Sequence, residues 1–139
     1  MNPTLTALLG FASWYVFLTL LLGFYRIGLV FGGRKAANTF AVDGTDLGGF
    51  AHRLTRARDN CYETLPIFAA IAIVAMLSGK TNVTDPLALW VLLARVGQSL
   101  THIVSTSVPA VLLRANLFFA QILVYAWWSI RLLAPASGA

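Results

Sequence analysis

The sequence predicts an all-α integral membrane protein built as a bundle of four transmembrane helices. Of its 139 residues, 58% are hydrophobic and only 11% are charged, whereas a soluble domain carries about a quarter of its residues as charges. The apolar residues form four long blocks, each near the roughly 20 residues that a helix needs to cross a bilayer. Lipid offers backbone N–H and C=O groups no partners, and apolar residues occupy every face of each block, so helices are favoured over barrel strands. The whole chain, 1–139, is expected to form one domain.

The first span is expected over about residues 4–31, interrupted only by Arg26 and ended by Gly32 and Gly33. It has no basic segment before it and is too long for the apolar core of a signal peptide, so it is predicted to remain as a span.

The other three spans follow from similar punctuation. The second is expected over about 56–79, with its charges in the first two turns. The third is expected over about 86–107, with Asp85 as its N-cap and Pro86 in its first turn. A short corner before Pro109 leads to the fourth, about 109–133, so spans three and four should be antiparallel neighbours.

The distribution of basic residues predicts the orientation. The one long connection, about 32–55, and its exit are rich in basic residues: Arg34, Lys35, Arg53, Arg56 and Arg58. The opposite side carries Lys80 and Arg131. By the positive-inside rule the long loop is cytoplasmic and both termini lie on the other side. The net charge of +5 is thereby explained by topology, and no nucleic-acid partner is expected.

Polar side chains recur at helical spacing where span two begins. Arg56, Asn60 and Glu63 lie at i, i+4 and i+7, which is one face of a helix. An arginine can hold a carboxylate bidentately and a glutamate can accept from an ammonium, so this stripe suits a zwitterionic ligand. An internal ion-pair cluster that ties span two to its neighbours explains the same spacing equally well.

Spans three and four repeat this pattern with residues that are rare in membranes. The two stripes are Arg95, Gln98 and His102, and Arg114, Phe118 and Gln121. Intramembrane charges are costly and are functional candidates by default. Few acids accompany these arginines, so we expect their positive charge to be compensated by an anionic ligand or by lipid phosphate.

The sequence offers no metal site. Cys61 is the single cysteine, and the two histidines lie in different parts of the chain, His52 in the long loop and His102 in span three. A lone histidine such as His102 is more often a hydrogen-bonded structural residue than a base or a ligand.

The segment from Arg56 to Pro66 resembles the signature of the MAPEG family, the membrane-associated proteins in eicosanoid and glutathione metabolism. It contains Arg56-Ala57, a basic Arg58, Asn60, Glu63 and then Pro66. The four spans, the long first loop and the short third corner agree with a bacterial-type member of that family, and the resemblance covers essentially the whole chain.

This resemblance implies a homotrimer that binds glutathione between adjacent subunits and acts on lipophilic electrophiles in the bilayer. Its match for the catalytic residue, the arginine that lowers the pKa of the glutathione thiol, is Arg114. The matches for cofactor-binding residues are Arg34, Arg58, Asn60, Glu63 and Arg95, and the polar stripes add Arg56, His102 and Gln121. The implied activity is that of a glutathione transferase or peroxidase.

Two positions depart from the family pattern. Several catalytic members carry a tyrosine four residues after the last arginine, where this chain has Phe118. A position in span three that is often tyrosine is His102. The first change puts catalytic competence in doubt, because a phenyl ring cannot donate a hydrogen bond.

Two other functions are compatible with parts of the sequence. A non-catalytic scaffold or lipid-binding relative is favoured by Phe118. A small multidrug-type transporter also has four short spans, but such carriers depend on an acid embedded in the first span, and span one here contains none.

Overall fold

The computed structural model describes residues 1–135, and in this part of the chain all regular structure is helical. The helices are α1 (Pro3–Phe31), α2 (Gly49–Leu77), α3 (Thr81–Val104) and α4 (Val108–Leu133). All four are long and apolar enough to cross a membrane, with mean hydropathies of 2.0, 1.6, 1.4 and 1.6 in their most apolar windows. The predicted fold class, a four-helix integral membrane protein, is confirmed.

Successive helices run antiparallel, as contacts between their ends show: Tyr25 near the end of α1 packs against Phe50 at the start of α2, and Arg53 near that start bonds to Ile103 at the end of α3. Helix α1 packs against α2 and α3, and α4 packs against α3 and less extensively against α2. We call the end that carries the loop 32–48 and the corner 105–107 the loop end. The other end, which carries the start of α1, the turn 78–80 and the end of α4, is the termini end.

Helices α1 and α2 both end in a turn that uses glycine. Helix α1 is capped by Gly32 and followed by Gly33 at φ 67°. Helix α2 ends at Leu77, and Gly79 follows at φ 66°. This left-handed conformation is unfavourable for residues with a Cβ, so glycine is the residue that lets each chain turn out of its helix.

Helix α2 begins at Gly49, earlier than the predicted start of span two at about residue 56, and the loop is correspondingly shorter than predicted. The additional turns are buried on one side, where Ala51 and Leu54 are both 0% exposed. Arg53 also donates from Nε to the carbonyl oxygen of Ile103 at 2.7 Å. These tertiary contacts extend the helix through a segment whose charges suggested a loop.

Helix α3 begins at Thr81, not at about residue 86, and the prediction that Asp85 is its N-cap was wrong. Asp85 Oδ1 instead accepts hydrogen bonds from the backbone N–H and the hydroxyl of Thr4, at 3.0 and 2.6 Å. The Thr4 hydroxyl also lies 2.7 Å from that of Thr84. The carboxylate therefore satisfies a donor in the first turn of α1 and ties α1 to α3.

An aromatic cluster fills the middle of the bundle. Phe68 stacks against Phe11, Tyr125 and Trp128, with ring centroids 5.9, 5.9 and 6.1 Å away. Gly10 lets α1 approach α3, because a Cβ at this position would lie 2.6 Å from a methyl group of Leu92. These stacked rings give the middle of the bundle a packed core.

Candidate functional site

A polar cleft of about 330 Å³ opens at the loop end between α2, α3 and α4. From α2 it is lined by Arg56, Asp59, Asn60 and Glu63, and from α3 by Gln98 and His102. From α4 it is lined by Arg114, Ala115, Phe118 and Phe119. An adjoining cavity of about 180 Å³ shares Arg56, His102 and Arg114 with it, so these three side chains lie between two accessible spaces.

Hydrogen bonds connect the three helices across the back of this cleft. Arg95 donates from Nη1 to Asn60 Oδ1 at 3.1 Å. Asn60 Nδ2 lies 3.3 Å from His102 Nε2. Arg114 donates from Nη1 to His102 Nδ1 at 2.8 Å. Together these contacts form one chain of four side chains with an arginine at each end, which we call the polar chain.

The positive charge of the cleft is not neutralised by neighbouring carboxylates. Within the described part of the chain, the ion pairs are Lys35–Asp46 and Arg58–Asp59. Arg56, Arg95 and Arg114 are in neither. Glu63 lines the cleft and is also outside both pairs, so the cleft presents two guanidinium groups and one free carboxylate to a ligand.

Arg95 is the buried member of this group. It is 1% exposed, and its guanidinium lies over the ring of Phe11 at 5.4 Å from the centroid. Its Nε and Nη2 atoms are buried without a hydrogen-bond partner among residues 1–135. A buried charge with so few partners is costly, so we expect Arg95 to lower the stability of the bundle.

The structure brings five of the nine predicted site residues to the wall of the cleft: Arg56, Asn60, Glu63, His102 and Arg114. Two others lie directly behind it. Arg95 contacts Asn60, and Gln121 is fully buried and donates to Oε1 of the lining residue Gln98 at 3.1 Å.

The remaining two predicted residues lie outside the cleft of the single chain. Arg58 makes a bidentate contact with Asp59 Oδ1, at 3.0 Å from Nε and 2.6 Å from Nη2. Arg34 is exposed in the loop after α1. Of the three arginines in the polar stripes only Arg95 is buried, since Arg56 is exposed and Arg114 is half-buried.

Several lining residues were not among the predicted site residues. Gln98 has the clearest sequence signal, because it lies three residues after Arg95 on the same helix face. Asp59 and Phe119 have none, because each is adjacent in sequence to a more obvious candidate. No group of three or more His, Cys, Asp or Glu side chains within residues 1–135 is placed to hold a metal ion.

The four apolar helices define an integral multi-pass membrane protein, and the bundle carries a cleft lined with charged side chains at one end. The chain also matches a known family. Residues 4–134 match the MAPEG family, and the chain therefore belongs to the MAPEG family, a family of membrane proteins in glutathione and eicosanoid metabolism. No curated protein and no solved structure shows significant similarity to it.

Proposed function

We propose that the cleft binds glutathione and that the protein is a membrane-bound glutathione transferase or peroxidase acting on lipophilic electrophiles. The observation that carries this proposal is the charge pattern of the cleft. Arg56 and Arg114 line it without a carboxylate partner, and Glu63 lines it as a free acid. Glutathione carries two carboxylates and one ammonium group, which is the complementary set of charges.

Arg114 is the residue proposed to act on the thiol. A guanidinium beside sulfur stabilises the thiolate, which is the nucleophilic form of the cofactor. Arg114 projects from α4 next to Phe118 and Phe119, so the sulfur would lie between a cationic and an apolar wall. An electrophile dissolved in the lipid would reach the thiolate from the apolar side.

Adjacent subunits of a homotrimer would complete the binding site. Arg56 and Glu63 are exposed on the single chain although they line the cleft, which leaves them available to a ligand that also contacts a neighbouring subunit. Arg34, exposed in the loop at the same end, is proposed to reach glutathione in that assembly. Many large apolar side chains also face outwards, among them Phe24 and Leu123 at 68% and 70% exposure, and these suit contact with lipid or another subunit.

Calorimetric titration of glutathione into detergent-purified protein tests the binding step. We expect saturable heat at millimolar glutathione, and we expect Arg56→Ala and Glu63→Gln to weaken binding separately, because they contact opposite charges of the ligand. Arg131→Ala is the matched control, since Arg131 is exposed at the other end of α4. Heat no greater than that of buffer in the unaltered protein would exclude glutathione as the ligand.

A lipid-binding function without turnover is the second candidate. Phe118 stands where several catalytic members of the family carry tyrosine, and with Ala115 and Phe119 it gives the cleft an apolar wall beside its arginines. That combination also suits a phospholipid, whose phosphate would contact Arg114. Native mass spectrometry of the purified protein distinguishes the two candidates, because a lipid that stays bound in excess glutathione would favour the second.

A further inference from the structure

The polar chain contains more hydrogen-bond donors than it can use. Arginine only donates, and it stands at both ends of the chain, as Arg95 and as Arg114. Between them, Asn60 and His102 must supply one acceptor to each arginine and also satisfy each other. A neutral imidazole has one N–H and one lone pair, and a carboxamide has one oxygen and one NH₂ group.

The shortest contact determines which ring nitrogen of His102 carries the proton. Arg114 lies 2.8 Å from His102 Nδ1, so Nδ1 must carry the lone pair and the ring proton is on Nε2. Arg95 needs Asn60 Oδ1, so the Asn60 NH₂ group faces His102 Nε2–H. Two N–H groups then meet, and this contact is the longest of the three at 3.3 Å. Rotating the Asn60 amide only moves the conflict to Arg95.

At most two of the three contacts in the chain can therefore be hydrogen bonds while the ring is neutral. The two that involve arginine are charge-assisted and take precedence. The conflict disappears if Arg114 leaves His102 Nδ1 for an acceptor supplied from outside. The ring can then carry its proton on Nδ1, and Nε2 can accept from Asn60 Nδ2.

We propose that His102 changes tautomer when Arg114 engages the sulfur of bound glutathione, and that its new Nδ1–H becomes a second donor to the thiolate. The proposal rests on the proposed glutathione function and gives His102 a specific role within that site. The Nδ1 atom faces the Arg114 guanidinium in the free protein, so it points to the place where an anion bound by Arg114 would lie.

The proton balance of this step is simple. The glutathione S–H bond breaks and its proton is bound at His102 Nδ1, while the proton on Nε2 leaves to water. The ring is neutral before and after, the sulfur gains the electron pair of the S–H bond, and one proton is released to solvent. No oxidant or reductant is required.

The switch also supplies what Phe118 cannot. The family position that often provides a tyrosine hydroxyl near the thiol is a phenyl ring here, while His102, on the neighbouring helix α3, lines the same cleft. With Nδ1–H directed at the sulfur, two donors contact the thiolate, one from α4 and one from α3.

Nitrogen-15 NMR of histidine-labelled protein tests the proposal directly, because the two neutral tautomers and the imidazolium ion have distinct nitrogen shifts. The chain has only two histidines, and a His52→Gln protein identifies the signals of His102. We expect the Nε2–H tautomer in free protein and the Nδ1–H tautomer with saturating glutathione. The Nδ1–H tautomer or imidazolium in free protein, or no change on saturation, would overturn the proposal.

A matched pair of variants separates positioning from mere packing. In His102→Asn the amide reaches the position of Nδ1, whereas in His102→Gln it reaches the position of Nε2. We expect ultraviolet difference absorbance of the bound thiolate, measured across pH, to be nearly retained in His102→Asn. It should fall about tenfold at neutral pH in His102→Gln, as expected for the loss of one charged hydrogen bond.

Equal thiolate formation in the two variants would contradict the proposal, and the NMR arm decides it if either variant fails to fold. Failure of the proposed function is a different result, since glutathione would then produce no calorimetric heat. His102 is expected to change tautomer only when glutathione is bound. An unchanged tautomer therefore contradicts the proposal where calorimetry shows that glutathione binds.

Discussion

The two ends of the bundle treat polar side chains in opposite ways. At the termini end, Thr4 gives its N–H and its hydroxyl to Asp85. Lys80 donates from Nζ to the carbonyl oxygens of Leu132 and Ala134, at 3.2 and 3.1 Å, which satisfies acceptors at the end of α4. Each of these polar groups finds its partner within the bundle and fastens one helix to another.

At the loop end the polar groups outnumber their partners. Arg56 and Arg114 line the cleft outside any ion pair of the described residues, and Arg95 is buried behind them with two unpaired nitrogens. On the proposed function, polar residues at one end stabilise the fold and those at the other bind a ligand. Buried or convergent charge that the chain leaves uncompensated is thus more informative about function than polarity by itself.

The largest effect is expected from removing Arg114. Arg114→Ala takes away the proposed stabilisation of the thiolate, and loss of one such donor costs about 10²–10³ in turnover. Conjugation of an electrophilic aromatic substrate, measured spectrophotometrically in detergent micelles, checks this. Arg131→Ala at the opposite end should leave turnover unchanged. Wild-type turnover in Arg114→Ala would exclude the proposed role of Arg114 at the thiolate.

Replacing the buried arginine should exchange function for stability. Arg95→Met removes an unpaired charge from the core, and we expect the free energy of unfolding to rise by about 1 kcal/mol or more. Asn60 is then free to turn its oxygen towards His102 Nε2–H, which satisfies the polar chain without ligand and should weaken glutathione binding. Thermal unfolding in detergent and calorimetry measure the two effects.

The control for this exchange is Arg131→Met, because Arg131 is exposed. Its effect on stability should stay within about 0.5 kcal/mol. A clear loss of stability in Arg95→Met would show that the charge is compensated within the bundle, and the contrast between the two ends would no longer hold.

The termini end should respond to substitution in stability alone. Asp85→Ala removes the acceptor for two donors of Thr4, and loss of a helix-capping side chain costs about 1 kcal/mol. Asp59→Ala is the comparison, since it removes only a partly exposed pair, for which about 0–1 kcal/mol is expected. In thermal unfolding, Asp85→Ala should be less stable than Asp59→Ala. Asp85→Asn keeps an acceptor, so its stability should lie between that of Asp85→Ala and that of the unaltered protein. A neutral Asp85→Ala would mean that the contact does not fasten α1.

The sequence allowed most of the fold to be predicted, because the relevant signals are local. Apolar blocks identify the four helices, and glycine at Gly33 and Gly79 identifies where two of them stop. The starts of α2 and α3 were predicted too late, because local signals do not record contacts between helices. Arg53 near the start of α2 bonds to Ile103, and Asp85 near the start of α3 bonds to Thr4.

The candidate site was predictable as a set of side chains but not as a network. Helical spacing placed Arg56, Asn60 and Glu63 on one face, and the structure brings that face to the cleft. Spacing cannot give the rotation of α3 against α2 and α4, and this rotation buries Arg95 while half-exposing His102. The hydrogen bonds of the polar chain follow from that rotation.

The smallest effect is expected in the loop 32–48, which gives the loop end its name. The ion pair Lys35–Asp46, at 2.8 Å, lies within this loop and apart from the cleft. The hydrogen bond from Lys35 holds the pKa of the Asp46 carboxyl below its ordinary value of 3.8. A depressed pKa means that the contribution of the ion pair to loop stability is present above that ordinary value and is lost as the pH falls through the folded-state pKa.

Asp46→Asn should therefore speed amide hydrogen exchange slightly over residues 32–48 at neutral pH, and the difference from the unaltered protein should disappear in acid. In the double variant Lys35→Met, Asp46→Asn the pair is already broken by Asp46→Asn, so any added effect of Lys35→Met measures the contact of the Lys35 ammonium with the Phe40 ring. Unchanged exchange at both pH values would show that the loop is held by its other contacts, chiefly Arg26 and Lys35 over the ring of Phe40 at 5.5 and 5.4 Å.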